Sequence, residues 1–168
     1  DCCELVQTKD ASEVEDHKIE LIGPDIDEFE VGSKHSIAYV VEVAGKSMQP
    51  DFEPVFERKF HSYLNCIEGV MHTGQRDMIR IRVSKEAFNA GFRAKHFGEV
   101  LYAQVKNEFE AVVDKCQVKI YTNPEDCTKI RHEIAIPVFD KRDERLSTMT
   151  DESVPVYYSC IMCQAFSP

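Results

Sequence analysis

The sequence predicts an α+β fold: a two-layer sandwich in which a mixed sheet of about four strands packs against long helices. Three observations carry this. Apolar residues alternate over short, strand-length runs near residues 18–22, 36–43, 78–83 and 116–120. They recur at helical spacing over two longer stretches between those runs, and the two kinds of segment do not follow strict βαβ alternation. At 168 residues, 43% of them hydrophobic, the chain is long enough for one packed core and short for two. One face of the sheet is expected to stay partly open.

Taken in order, residues 1–16 show no clean period and receive no assignment. Residues 18–22 read as a strand that stops at Gly23-Pro24, and the acidic run from Asp25 to Glu30 as a loop or short turn. Ile37, Tyr39, Val41 and Val43 alternate onto one face of the clearest strand, which Gly45 ends. From Asp51, a predicted N-cap, Phe52, Phe56, Phe60, Tyr63 and Ile67 recur at helical intervals, with Gly69 as the predicted stop. Such a stripe could line a cofactor pocket, but this spacing favours packing against a sheet. Met78 to Val83 returns to period two, and Ser84 caps a short helix reaching Gly91. Phe97, Val100, Leu101, Val105, Phe109 and Val112 mark a second long helix, followed by a strand across Cys116, Val118 and Ile120. Asn123-Pro124 starts the last helix, which Pro137 kinks or ends.

Composition narrows the function classes. Thirty acidic against 20 basic residues give a net charge of −10, which argues against general attraction to nucleic acid or an anionic membrane. No window is apolar enough for a membrane helix, and Asp1-Cys2-Cys3-Glu4 is neither a signal peptide nor an initiation site. A soluble piece excised from a longer protein is expected. Seven cysteines, an odd number in a chain with an ordinary core, suit a reducing cytoplasm better than a disulfide framework. Cys66, Cys116 and Cys127 sit in apolar or amphipathic stretches and read as small buried hydrophobes. The histidines are dispersed without metal-ligand spacing and read as surface or packing residues.

Two constellations carry chemistry. In the run from Gly74 to Val83, strand alternation points Ile79, Ile81 and Val83 one way and Arg76, Met78, Arg80 and Arg82 the other. Same-face neighbours lie about 7 Å apart, a spacing that suits successive phosphates of an extended polyanion. From Gln75 to Gly98 six basic residues, Arg93 among them, stand against two acidic ones. Arginine binds phosphate through bidentate, charge-assisted hydrogen bonds. The alternative is that these arginines pair with the abundant Asp and Glu of neighbouring elements. The second constellation is Cys160-Ile161-Met162-Cys163, which can present two thiolates to one metal or cluster. It is half a site, because no second Cys-x-x-Cys exists and Cys2-Cys3 is too tight to mirror it. A thioredoxin-type dithiol is a weaker reading, since that chemistry wants the pair at a helix N-terminus early in a βαβ unit. An independent zinc-binding adaptor completed by a second copy of the chain is a further alternative.

Read together, Asp1-Cys2-Cys3-Glu4-Leu5-Val6, Val14-Glu15-Asp16-His17-Lys18-Ile19-Glu20, Gly74-Gln75-Arg76-Asp77 and the segment from Tyr158 to Pro168 resemble the acetyl-CoA synthase subunit of the carbon monoxide dehydrogenase/acetyl-CoA synthase complex. The resemblance spans the chain and is most specific at its last segment. It implies that residues 1–147 are the middle domain and 148–168 the start of the C-terminal nickel–iron–sulfur cluster domain. The implied enzyme is an acyltransferase of anaerobic carbon fixation by the Wood–Ljungdahl pathway. It joins a methyl group from the corrinoid iron–sulfur protein, carbon monoxide and coenzyme A into acetyl-CoA, in the cytoplasm, with the carbon monoxide dehydrogenase subunit as partner. Its cofactor is a 4Fe-4S cubane bridged to two nickels. By position, Cys160 would ligate the cubane, and Cys163 would ligate it and bridge to the proximal nickel, a role that suits soft thiolates. The remaining ligands would follow downstream, so this chain alone is expected to be inactive. The resemblance also implies that the middle domain helps bind coenzyme A, which favours Arg76, Arg80 and Arg82 as contacts, with Arg93 a weaker candidate. A purely structural inter-domain spacer is the alternative. One departure is that the family can carry tryptophan near this strand, where this chain has Met71 and Arg80.

Overall fold

The computed structural model describes residues 1–150. The chain divides into two compact units, Asp1–Pro137 and Val138–Pro168. The elements are β1 (Cys2–Thr8), β2 (Lys18–Ile22), β3 (Ile37–Ala44), α1 (Glu53–Asn65), β4 (Val70–Gln75), β5 (Met78–Val83), α2 (Lys85–Asn89), α3 (Ala94–Glu108), β6 (Lys115–Tyr121), α4 (Pro124–Lys129) and α5 (Ile136–Thr148). Short 3-10 turns lie at Ile26–Glu28 and Pro50–Phe52, and a π-helical turn at Ile130–Ala135.

The α+β class holds, with a mixed four-stranded sheet of order β1-β3-β6-β2. β1 runs parallel to β3, β3 antiparallel to β6, and β6 parallel to β2. Its membership corrects the sequence reading. β5, the arginine strand, is not in this sheet; it pairs with β4 as a separate antiparallel hairpin. Its place is taken by β1, in the stretch that received no assignment. Glu4 interrupts the apolar run of β1 yet is fully buried, so the period that marks a strand was broken by a residue the fold hides.

On one face of the sheet Tyr39, Val41, Val43, Cys116, Val118 and Ile120 meet Phe56, Phe60 and Leu64 of α1 and Phe97, Leu101 and Val105 of α3. Each such fully buried side chain contributes on the order of 1.5–3 kcal/mol. α3 comes so close that a Cβ on Gly98 would stand 2.5 Å from Ile19 Cγ2. The other face is covered over β1 and β3 by α4 and the π-helical turn. Beyond them it is polar: Glu42 and Gln117 are buried there, and Glu42 takes Lys119 at 3.0 Å and the Gln117 amide.

Several boundaries differ from the sequence reading. Asp51 lies inside the 3-10 turn before α1 and does not cap it, because Pro50 starts that turn one residue earlier. α1 stops at Asn65, well short of Gly69, whose positive φ of +78° turns the chain into β4. Cys66, past the end of α1, is exposed; Cys116 and Cys127 are buried as expected. Pro137 does not end the last helix, which continues past it as α5. The Ile136 N–H donates to the carbonyl of Arg131, five residues back, and this wider π turn makes room for a ring that would crowd an α-helical carbonyl.

The free edge of β1 is sealed along its length. The Glu4 N–H donates to the Arg76 carbonyl (2.7 Å), the Val6 N–H to Glu57 Oε2 (2.8 Å) and the Thr8 N–H to Glu53 Oε1 (2.9 Å). Residues four apart on a helix rise about 6 Å and residues two apart on a strand about 7 Å, so successive carboxylates of α1 reach successive outward N–H groups.

Candidate functional site

β4 and β5 form a hairpin whose register sets Met71 opposite Arg82, Thr73 opposite Arg80 and Gln75 opposite Met78. Strand alternation sends His72 and Ile79 inward, where both are buried, and Met71, Thr73, Met78, Arg80 and Arg82 outward, where all are exposed. Met78 is 77% exposed and Met71 48%, an unusual pair of large apolar side chains to leave in water. Among the described residues neither Arg80 nor Arg82 has an ion-pair or hydrogen-bond partner, in a chain whose acids outnumber its bases.

The other two predicted arginines are placed differently. Arg76 does not share the outer face of β5. It occupies the two-residue turn between the strands with φ of +58°, outside the strand alternation, half-buried and engaged with other groups. Arg93 stands at the N-terminus of α3. Its Nη1 donates to the Phe88 and Phe92 carbonyls (3.1 and 2.7 Å), its guanidinium lies 4.2 Å from the Phe88 ring centre, and Asp27 sits 3.9 Å from its Nε. That guanidinium closes a local turn. The structure thus sets Arg80 and Arg82 on one outward face, puts Arg76 off that face in the adjoining turn, and commits Arg93 to a local turn elsewhere.

The hairpin packs Val70 and Ile79 into the main core and also meets the edge of the four-stranded sheet through polar contacts. Asn65 at the end of α1 binds the backbone of His72 on both sides: its Nδ2 donates to the His72 carbonyl (3.0 Å), and its Oδ1 accepts the His72 N–H (2.7 Å). The His72 ring bonds Glu4 of β1, with both side chains fully buried. Burial pushes the Glu4 carboxyl above the usual range, and the hydrogen bond to His72 offsets only part of this. At the turn, Arg131 holds Asp77 at 3.1 Å and approaches Asp1 at 3.7 Å. The Cys2 thiol lies on the Asp77 and Ile79 carbonyls.

The sequence reading missed this seat. The legible signal was Glu4 itself, a charged residue in the middle of Cys2-Cys3-Glu4-Leu5-Val6 that requires a buried partner. Of the histidines, His72 is the buried one, whereas His17, His35, His61, His96 and His132 are exposed as expected.

The described residues hold no group of three or more His, Cys, Asp or Glu side chains suited to a metal ion. Burial pushes the Cys3 and Cys116 thiols up to about 12 and Cys127 to about 11, which keeps them as neutral thiols and poor ligands. Cys160 and Cys163 lie outside the described residues. No described helix is long and apolar enough to cross a membrane.

Comparison with known proteins gives one consistent result. The family model "CO dehydrogenase/acetyl-CoA synthase complex beta subunit" matches residues 1–127, and a model of the C-terminal part of the ACS/CODH beta subunit matches 139–168. The chain is 48% identical to the carbon monoxide dehydrogenase/acetyl-CoA synthase subunit alpha of Moorella thermoacetica, over 98% of this chain and 22% of that protein. It is 46% identical to the acetyl-CoA decarbonylase/synthase complex subunit beta 2 of Methanocaldococcus jannaschii, over 98% of this chain and 34% of that protein. The subunit beta of Methanopyrus kandleri matches at 43%, over 98% and 35%. The chain therefore spans between about a fifth and about a third of the length of these curated relatives. On these matches, the chain belongs to the CO dehydrogenase/acetyl-CoA synthase complex beta subunit family.

Proposed function

We propose that this chain is the substrate-holding part of an acetyl-CoA synthase subunit, and that the outer face of its β4–β5 hairpin contacts the phosphates of coenzyme A through Arg80 and Arg82. The observation that carries this is their condition: two exposed guanidinium groups on adjacent outward positions of one strand, without an ion-pair partner among the described residues. Arginines serving only to brace the domain would take some of the 30 acidic side chains as partners, as Arg93 and Arg131 do. Arg76, at the turn, is a neighbouring contact for the same ligand, whereas the local bonds of Arg93 leave it a supporting role.

Residues 1–147 would form this substrate-holding domain and 148–168 the beginning of the cluster domain, where Cys160 and Cys163 would supply two thiolates. When bound, the nickel–iron–sulfur cluster supplies the chemistry that joins a corrinoid-borne methyl group, carbon monoxide and coenzyme A. Two thiolates do not hold that group by themselves, so the chain alone is expected to bind coenzyme A without forming acetyl-CoA.

Calorimetric titration of coenzyme A into the reduced, metal-free chain, beside an Arg80→Ala/Arg82→Ala variant, tests the reading. Each lost charge-assisted contact is worth about 1.5 kcal/mol or more, so affinity should fall about 100-fold or beyond in the double variant and weaken with salt in the parent. Equal binding by both, or none by the folded parent, would leave the arginines as contacts to a neighbouring domain.

A further inference from the structure

Beneath the arginine-bearing face lies a pair of ionisable side chains with no access to water. Glu4 on β1 and His72 on β4 bond through Oε1 and Nε2, and each side chain is 0% exposed. Their second polar atoms, Glu4 Oε2 and His72 Nδ1, have no hydrogen-bond partner among the described residues. The other titratable groups that act on Glu4 are Glu57 and His61 of α1, and Glu4 acts in turn on Tyr39 of β3 and on Cys3. Glu57 is committed to the Val6 N–H, and Tyr39 is a buried phenol that stays neutral because burial pushes it up. The pair joins the hairpin to the sheet edge, so its charge state bears on whether the hairpin is seated.

A buried pair of this kind is tolerated when its net charge is zero, since an uncompensated ion there costs several kcal/mol. Net zero means one proton between the two groups, on either partner. We infer that the Glu4–His72 pair is a one-proton latch: the hairpin bearing Arg80 and Arg82 seats on the edge of β1 with that proton held and lifts when the proton is lost.

The direction of the pH dependence follows from counting protons. In water, a glutamate and a histidine together hold two protons below about pH 4.3, one between about 4.3 and 6.5, and none above. Seated, the pair holds one, and the raised Glu4 carboxyl favours keeping it. Seating is therefore independent of pH between about 4.3 and 6.5. Above about 6.5 it takes up one proton per molecule, and its equilibrium constant falls tenfold per pH unit until the seated pair itself ionises. Below about 4.3 the exposed pair binds a second proton, and seating weakens again. Lifting breaks the bond from the Glu4 N–H to Arg76, the bonds between His72 and Asn65 and the contacts of Arg131 and Cys2 at the turn, and withdraws Val70 and Ile79 from the core, while the β4–β5 ladder can persist.

Hydrogen exchange of the Glu4 and His72 amides reads the latch directly, as protection factors corrected for intrinsic rates, with β6 amides marking global opening. Above about pH 7 the protection of both should fall close to tenfold per unit, and β6 amides, whose wider opening also frees the pair, should stay the better protected throughout. Glu4→Gln keeps a hydrogen-bonding side chain but removes the charge. Its profile should be flat above pH 7 and should lose protection below about 6.5, where an imidazolium would be buried without a counter-ion. His72→Gln leaves a carboxyl that must stay protonated, so its loss should begin near the ordinary glutamate range. A level profile in the parent would overturn the inference, as would the parent's slope persisting in Glu4→Gln. Should Glu4→Gln unfold, seen as loss of β6 protection, the profile of His72→Gln decides between the same two outcomes. The measurement uses no ligand, so its failure is distinct from a failure of coenzyme A binding.

Discussion

Asn65 does the work of a missing strand. With one side chain it pairs both backbone groups of His72, which point away from β5 in the hairpin register. Truncation in Asn65→Ala leaves a partly buried N–H and carbonyl without that partner, at a cost of about 1–2 kcal/mol, because an unmade bond costs more than a made one gains. A shift of the urea midpoint with an unchanged slope would show it; a shift below about 1 kcal/mol would mean that water replaces the amide. At this scale the sequence was only half legible. The outward direction of Arg80 and Arg82 was legible because alternation alone sets it. Glu4, His72 and Asn65 were missed because each has meaning only through the others, and their separations in sequence carry no period. Arg76 was misplaced for a related reason: alternation predicts a face only while the chain remains a strand, and a two-residue turn ends it there.

The hairpin shows how an element can be read from one strand and lost in the other. β5 alternates cleanly, whereas β4 (Val70–Gln75) mixes a buried histidine with exposed Met71, Thr73 and Gly74 and has no stripe to detect. Its geometry also depends on Gly74, whose φ is +91° and where a Cβ would stand 1.8 Å from the Met78 carbonyl oxygen. Gly74→Ala therefore meets both a left-handed backbone, costing an L-residue about 1–2 kcal/mol, and a clash that no rotamer relieves. We expect amide protection across 70–83 to fall at least 30-fold in that variant while β6 retains its own. Uniform loss across both elements would instead make the hairpin part of one cooperative unit with the sheet. α1 and α3 were legible because their stripes face a single partner, the sheet, and follow the helical period throughout.

For the molecule as a whole, the two-layer arrangement was predicted correctly and its strand membership was not. Pairing between strands far apart in sequence leaves no local trace, so nothing in residues 2–8 announced that they would replace 78–83 beside β3. The closeness of the layers was equally hidden, because a glycine inside a helix reads locally as a weakness. Here Gly98 lets α3 approach the sheet, and Gly98→Val, with its Cβ 2.5 Å from Ile19 and 3.2 Å from Ile120, should cost about 2–3 kcal/mol despite a better helix former at that position. Thermal or urea unfolding measures this, and a stabilised variant would show that the layers can part without loss. The carboxylates that α1 lays along β1 have a further consequence at this scale. Like the capped surface atoms of a crystal that has stopped growing, the outward N–H groups of β1 present no template to an incoming strand. The sheet is therefore terminated on that side by chemistry rather than by shape, and among the described strands its open direction of growth is across β2.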